Sequence, residues 1–219
     1  MSLTPKAERT RALIVDTALH LFAERGYAAT TMRDIAASAD VSTGLAYRYF
    51  RRKEDLALAL YGRLADDLVA AACGLEDAPL AQRYASLLHH KIRLMAPHRG
   101  ALAALFAAAL NPEDDVGVLS DATAPVRERV QHAMVLTVRG HVPVDKEAAM
   151  ATRLYAVHLL VVLLWTQDRT ADLRLVNGAI DLLRDGLTFA LPLLGTPMAA
   201  PMLTRLDSLM GDLIAPKQA

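Results

Sequence analysis

The stretch from Thr30 to Leu56 constrains the fold more than any other part of the chain. Its residues predict two short helices joined by a tight turn, followed by the start of a third helix. A capping-box pattern begins at Thr31, and Ser42 can cap the second helix. Between these two caps the chain reverses near Asp40, one of the few non-glycine types that tolerate a left-handed backbone. We therefore interpret the stretch as a helix-turn-helix whose second helix extends to Tyr49.

The outer face of the second helix combines small, hydroxylic and cationic side chains: Thr43, Gly44, Tyr47 and Arg48. The opposite side carries Phe50 together with either Leu45 or Ala46. A helix that approaches a phosphate backbone and base edges needs hydrogen-bond donors without bulk. This face therefore predicts contact with double-stranded DNA.

The same region resembles the TetR family of bacterial one-component repressors. The similarity lies in Ile35-Ala36, Val41-Ser42, Gly44, Tyr47-Arg48-Tyr49-Phe50, Lys53 and Leu56. It covers roughly residues 9 to 65, and the rest of the chain is similar only in its helical style. Two positions depart from the family pattern, because Asp40 replaces a usual glycine and Leu45-Ala46 replaces a more common Thr-Leu pair. The second departure makes it unsafe to transfer any base preference from relatives.

The resemblance implies a homodimer that presents two copies of the second helix to successive major grooves of a palindromic operator, about 34–36 Å apart. The side chains predicted to hold phosphates are Thr31, Tyr47, Tyr49 and Lys53. The residues predicted to face the bases are Arg33, Thr43, Gly44 and Leu45. Ser42 and Arg48 complete the predicted DNA-binding set.

Composition favours an all-α protein. The chain of 219 residues is rich in alanine and leucine and has only 11 glycines, a profile that favours helices over sheets. We predict a helix-turn-helix DNA-binding domain over residues 1–55 and a helical effector-binding and dimerisation domain over residues 56–219. The formal net charge of zero gives no indication of nucleic-acid binding by itself. The single cysteine, Cys73, excludes an internal disulfide framework and agrees with a cytoplasmic location.

The second domain reads as a series of amphipathic helices. The predicted segments are Leu80–Met95, Ala101–Leu110, Pro125–Gly140, Glu147–Asp168, Leu173–Leu194 and Met202–Ile214. The most apolar run, residues 155–165, is shorter than the roughly 20 residues that a membrane span needs. We therefore predict a buried helix there and no membrane partner.

The two longest apolar segments predict a homodimer through a four-helix contact. In residues 173–194, apolar side chains recur at intervals of alternately four and three residues, as in a coiled coil. The predicted interface residues are Leu159, Val162, Leu163, Val176, Ile180, Leu183 and Leu187. The alternative is that both segments are ordinary core helices.

The resemblance also implies a pocket for a small-molecule effector that releases the protein from DNA. The candidate lining residues are Met95, Phe106, Met134, Tyr155, His158 and Trp165. Tyr155, His158 and Trp165 are preferred because their polar atoms require partners when buried. No arginine or lysine cluster stands out in this part of the sequence, which favours an apolar or neutral effector. The alternative for each candidate is an ordinary place in the core.

Motifs of enzymatic chemistry are missing from the sequence. It has no glycine-rich phosphate loop, no GxSxG and no HExxH. The adjacent His89 and His90 would point about 100° apart on a helix, so they cannot chelate one metal together. We predict no catalytic residues, metal or cofactor. The competing class is a helical small-molecule-binding protein or enzyme that does not bind an operator.

Overall fold

The computed structural model describes residues 4–111, 117–194 and 196–214. The side chains of residues 106, 107 and 212–214 lie outside the described set. Within these ranges the chain is helical and contains no strand, which confirms the predicted all-α class. The α-helices in chain order are α1 (Pro5–Arg25), α2 (Met32–Ser38), α3 (Thr43–Tyr49), α4 (Lys53–Cys73), α5 (Leu80–Met95), α6 (Arg99–Ala109), α7 (Ala124–Val138), α8 (Val144–Gln167), α9 (Arg174–Leu194) and α10 (Ala200–Ile214).

Two compact units divide the chain. The first lies within residues 1–64 and 95–126, and the second lies within residues 65–94 and 127–219. The first unit is larger than the predicted head of residues 1–55 because α6 packs along α1. At the crossing, a Cβ atom added to Gly100 would lie 2.7 Å from the Cβ of Ala23. Only glycine allows the two helices to approach so closely.

An apolar core in the first unit holds α1, α2 and α3 together with the start of α4. Its buried side chains include Ile14, Ala18, Phe22, Ile35, Ala46, Phe50, Leu56 and Leu60. The ring of Phe22 meets that of Tyr27 edge to face, with 5.1 Å between the ring centroids. The turn after α1 is thereby anchored to the core, because an edge-to-face pair adds to the burial of both rings.

Helix α8 is a core helix of the second unit. Length and composition alone would allow it to cross a membrane. However, one face of the helix, which includes Leu154, Tyr155, His158 and Trp165, is buried inside the protein. The Tyr84 hydroxyl donates a 2.6 Å hydrogen bond to the carbonyl of Leu154. This burial agrees with the buried helix predicted for residues 155–165.

The corner between α8 and α9 is held by a buried carboxylate. Asp168 accepts hydrogen bonds from the Thr170 N–H at 2.8 Å and from the Val176 N–H at 2.9 Å. Beyond this corner, Val176 and Ile180 are fully buried within the protomer. Their assignment to a dimer interface was wrong, because both side chains are already covered by their own chain.

Helix α10 packs against α8 in the second unit. The guanidinium of Arg153 on α8 donates two hydrogen bonds to the carboxylate of Asp207 on α10, at 2.8 and 2.6 Å. A bidentate pair of this kind fixes orientation as well as distance. The C-terminal helix is therefore docked in a defined position.

Candidate functional site

The turn between α2 and α3 has the geometry that the sequence predicts. Asp40 adopts a left-handed backbone with a φ of 53°. The N–H of Val41 donates to the carbonyl of Ala36 at 3.0 Å, which closes the turn. Ser42 then caps α3, since its hydroxyl accepts the N–H of Leu45 at 3.2 Å. Together these contacts confirm the predicted helix-turn-helix.

Helix α3 buries one side and displays the other. Ala46 is fully buried and Phe50 nearly so, which decides the alternative between Leu45 and Ala46 in favour of Ala46. Leu45 and Tyr49 are half-buried. The exposed predicted DNA-binding residues are Ser42, Thr43, Gly44, Tyr47 and Arg48 on this segment, and Thr31 and Arg33 on the segment before it. The helix therefore offers an outward face of small, hydroxylic and cationic groups.

Gly44 has no role in the packing of the protomer. A Cβ atom added there would meet no atom within 4 Å. Glycine within a helix is less stable than alanine by up to about 1 kcal/mol. Packing within the described protomer therefore does not explain why a glycine stands at this position of α3.

A capping box fixes the start of α2. The Thr31 N–H donates to Oδ2 of Asp34 at 2.9 Å, and the Asp34 N–H donates to the Thr31 hydroxyl oxygen at 3.2 Å. The Thr31 hydroxyl also donates to the same carboxylate at 2.5 Å. The Thr31 hydroxyl therefore already donates its proton to Asp34. A phosphate that accepts a hydrogen bond from this hydroxyl would have to compete with the Asp34 carboxylate.

Protonation of Asp34 should weaken this cap. Hydrogen bonds from the side chain and then the backbone of Thr31 hold the pKa of Asp34 below its ordinary value of 3.8. A carboxyl whose folded pKa is depressed contributes its stability above the unfolded pKa and loses it as the pH falls through the folded pKa. On acidification from about pH 6 to about pH 3, we expect the thermal midpoint of the wild type to fall further than that of Asp34→Asn. Circular dichroism at both pH values measures this, and equal decreases would contradict the role of the cap.

Lys53 joins the start of α4 to the turn after α1. Its Nζ donates to the carbonyl of Tyr27 at 2.9 Å and lies 4.4 Å from the centroid of the Tyr27 ring. The Tyr27 hydroxyl in turn donates to Glu54 at 3.0 Å. Lys53 therefore has a structural role beside the phosphate contact that the sequence predicts.

Arg11 is a residue that the sequence reasoning missed. Its guanidinium lies 4.9 Å from the centroid of the Phe50 ring, just beyond the C-terminal end of α3. It places an exposed cation beside the C-terminal end of α3. No spacing rule within the helix-turn-helix could have identified it, because it comes from α1.

The predicted effector residues fall into both units. Met134, Tyr155, His158 and Trp165 are buried in the second unit. Met95 is buried in the first unit, and Phe106 belongs to α6 of that unit with a side chain outside the described set. The four residues of the second unit therefore remain candidates for the lining of one effector pocket.

Two buried cations accompany these residues in the second unit and were not predicted. They are Lys91 on α5 and Arg127 on α7. Both occupy positions that spacing assigns to the apolar side of their helices: Lys91 continues the series Tyr84 and Leu88, while Arg127 lies two turns before Met134. A cation on an apolar stripe was the signal that could have identified them.

Helix α9 presents an apolar stripe to solvent. It consists of Leu175, Leu182, Phe189 and Leu193, with Leu182 and Phe189 74% and 78% exposed. Successive members are seven or four residues apart, so they share one side of the helix. Of the remaining predicted interface residues, Leu163 is exposed, while Leu159, Val162, Leu183 and Leu187 are half-buried. The exposed stripe is therefore rotated around α9 relative to the predicted seam.

The head of this chain is similar to known regulatory proteins in sequence. Residues 14–60 match the family described as bacterial regulatory proteins, tetR family. The HTH-type transcriptional regulator BetI of Rhizobium meliloti is 46% identical over 65 residues, which cover 28% of this chain and 32% of BetI. The HTH-type transcriptional repressor Rv3405c of Mycobacterium tuberculosis is 46% identical over 76 residues, which cover 35% of this chain and 40% of Rv3405c. The chain thus matches between 32% and 40% of the length of these relatives.

The similarity of fold extends over almost the whole chain. The crystal structure of a tetR-family transcriptional regulator from Streptomyces coelicolor matches with a TM-score of 0.62 and covers 98% of this chain and 88% of that one. At 22% identity this likeness concerns the fold alone. The similar proteins are transcriptional regulators and not enzymes. The helix-turn-helix region of this chain is thus related to that of the bacterial regulatory proteins of the tetR family, and its helical fold is similar to that of a tetR-family transcriptional regulator.

Proposed function

We propose that the protein is a ligand-responsive transcriptional repressor that binds a palindromic DNA operator as a homodimer and is released by a small-molecule effector. The outward face of α3 is the observation that carries this proposal. Ala46 holds the helix against the head, while Thr43, Gly44 and Arg48 remain exposed. Small and cationic groups on an exposed helix suit the major groove of DNA.

The proposed contacts divide into two kinds. Arg33, Thr43 and Gly44 face base edges, and the missing side chain of Gly44 allows the helix to come close. The exposed part of Leu45 suits an apolar contact with a thymine methyl group. Phosphates are held by Thr31, Tyr47, Tyr49 and Lys53, which fix the position of the helix in the groove.

The apolar stripe on α9 supports the homodimer. Large exposed apolar patches are uncommon on monomeric proteins and usually mark interaction sites. Leu182 and Phe189 are both more than two-thirds exposed in the isolated protomer. A two-fold contact through this stripe would bring two heads to two half-sites, as helix-turn-helix proteins require.

Release follows if the effector binds one conformation of the dimer better than the other. An effector shifts the equilibrium only by its difference in affinity for the two states. Helix α4 contributes residues to both units, since Lys53–Leu64 belong to the first and Ala65–Cys73 to the second. It therefore gives the second unit a continuous helical connection to the head. We place this activity in the cytoplasm, where an exposed single cysteine, Cys73, stays reduced.

A gel shift with DNA from upstream of the gene tests the proposal, followed by footprinting at a stated salt concentration. We expect a protected palindrome whose half-sites lie about one helical turn apart. Absence of specific binding would overturn the proposal in favour of a helical small-molecule-binding protein or an enzyme without operator binding.

Lys53→Ala should weaken binding to every DNA sequence alike. Loss of one phosphate contact reduces the slope of log affinity against log salt by about one per protomer. Titrations at several salt concentrations measure the slope, and Lys146→Ala is the control, because Lys146 is an exposed lysine of α8 outside the head. Lys53→Arg keeps the positive charge, so its DNA affinity shows the effect of the charge. Thermal unfolding of Lys53→Ala shows how far the loss of the Tyr27 contact destabilises the head. A loss confined to one base position would contradict the phosphate role.

A further inference from the structure

Four polar side chains from three helices are buried in the interior of the second unit. Lys91, Arg127, Tyr155 and His158 each expose less than a tenth of their surface. The rings of Tyr155 and His158 are 5.7 Å apart between centroids. Lys91 is close enough for its charge to act on His158, and Arg127 is close enough to act on Tyr155. We call these four residues the buried cationic cluster.

Lys91 is a cation buried in the interior of the second unit. It is 8% exposed, and among the described residues it makes no ion pair. Burial lowers the pKa of Lys91 to about 8, because the charged form is poorly solvated there. The side chain therefore still carries its charge for most of the time near neutral pH. Buried charges in proteins are usually paired, so an ammonium group left in this state calls for an anion.

His158 adds unused hydrogen-bonding capacity beside Lys91. Burial, followed by the charge of Lys91, lowers the pKa of His158 to about 3, so the ring is neutral. The backbone of Tyr155 acts in the opposite direction but gives neither ring nitrogen a hydrogen bond of good geometry. A buried polar atom without a partner is destabilising, because it has given up its hydrogen bonds with water. A neutral imidazole offers one donor and one acceptor to a bound molecule.

Tyr155 supplies a further donor. Burial raises the pKa of Tyr155 to about 12, so its hydroxyl keeps its proton. The guanidinium of Arg127 is the second buried cation of the cluster. The cluster thus combines two cations with a neutral imidazole and a neutral phenol, an arrangement suited to one anionic head group with several acceptor atoms.

Apolar side chains continue from the cluster along each helix. Leu88 lies one turn before Lys91, Met134 two turns after Arg127, and Val161 and Trp165 one and two turns after His158. All four are buried. A ligand that contacts both the buried cationic cluster and these apolar side chains needs an anionic end and an apolar body. A dianionic phosphate would be costlier to desolvate here than a monoanion.

Resting on the regulator function proposed above, we propose that the effector is a small amphipathic carboxylate, whose carboxylate group binds Lys91 and Arg127 beside Tyr155 and His158. The apolar body of the effector packs against the buried face of α8. This differs from the apolar or neutral effector that the sequence favoured. The sequence showed no cationic cluster, because the two cations come from helices far apart in the chain.

The test uses octanoate and phenylbutyrate with their neutral amides as probes. Trp165, the only tryptophan of the chain, lies two turns after His158 and reports binding by its fluorescence. At about pH 7, where the acids are ionised, we expect at least one acid to bind the full-length protein at least tenfold more tightly than its amide. The same acid should lower operator affinity in the gel shift.

Lys91→Met and Lys91→Arg are the matched variants. Methionine keeps an unbranched side chain only one atom shorter and removes the charge, so we expect Lys91→Met to bind that acid at least tenfold more weakly and the amide as the wild type does. Lys91→Arg should restore preference for the acid. Circular dichroism and ligand-free operator binding check that both variants fold.

The outcomes separate the two proposals. Equal binding of acid and amide, no response to either acid, or an unchanged affinity of Lys91→Met for the acid would each overturn the carboxylate site. Failure of the ligand-free protein to bind its upstream DNA would instead overturn the regulator function, whatever the fluorescence titration shows.

Discussion

Replacement of Gly44 by alanine should stabilise the protein and at the same time weaken its binding to DNA. The added methyl group meets no atom of the protomer, and alanine is the better helix former by up to about 1 kcal/mol. For a chain of this size, that gain corresponds to a rise in Tm of up to about 2–4 °C. Stability and binding should therefore move in opposite directions.

The loss of binding follows from the position of Gly44 on the outward face of α3. A methyl group that holds α3 away from the groove should cost at least about 1 kcal/mol of base recognition in each half-site. Two half-sites then give a decrease in operator affinity of roughly 30-fold. A gel-shift titration at fixed salt, together with thermal unfolding, measures both quantities.

Gly211→Ala is the control for this experiment. Gly211 lies in α10 of the second unit, and a Cβ atom there also meets nothing within 4 Å. We expect Gly211→Ala to be at least as stable as the wild type and to bind the operator as the wild type does. Undiminished operator binding by Gly44→Ala would show that α3 does not approach DNA at this residue.

Leu182→Glu should convert the dimer into monomers and remove most of the operator affinity. The side chain of Leu182 is 74% exposed, so the change leaves the protomer core untouched. In a two-fold contact, two copies of residue 182 lie on the same apolar surface, and each new carboxylate would have to lose its water there. Because two linked sites bind about 100-fold or more tightly than one, we expect operator affinity to fall by at least that factor.

Sedimentation equilibrium and the gel shift test this prediction together. Thr188→Glu is the control, because Thr188 is exposed on α9 outside the stripe of Leu175, Leu182 and Phe189. It introduces the same charge and should leave both the dimer and the operator affinity unchanged. A dimer of Leu182→Glu as stable as that of the wild type would assign the interface to another surface.

Local signals in the sequence were enough to predict the helix-turn-helix. The caps at Thr31 and Ser42 and the turn at Asp40 each depend on residues within a few positions of one another. Such contacts form whenever the segment is helical, so they can be read without knowledge of the rest of the chain. The choice between Leu45 and Ala46 on the inner side required the position of α1 and α2.

Longer-range features could not be predicted in the same way. Helix α9 carries apolar residues on two neighbouring stripes, one with Val176 and Ile180 and the other with Leu175 and Leu182. Periodicity shows that α9 is amphipathic, but both stripes satisfy it. Packing against α8 buries the first stripe and leaves the second exposed. The predicted interface included Val176 and Ile180 of the first stripe, which are buried within the protomer, for this reason.

The order of residues along the chain was sufficient for the helices, their caps and the outward face of α3, because hydrogen bonds and spacing within a single turn or helix determine them. The meeting of Lys91, Arg127 and His158 depends on how α5, α7 and α8 pack in three dimensions. No local rule relates residues on separate helices, so the chemistry of the buried cationic cluster became visible only when the helices were assembled.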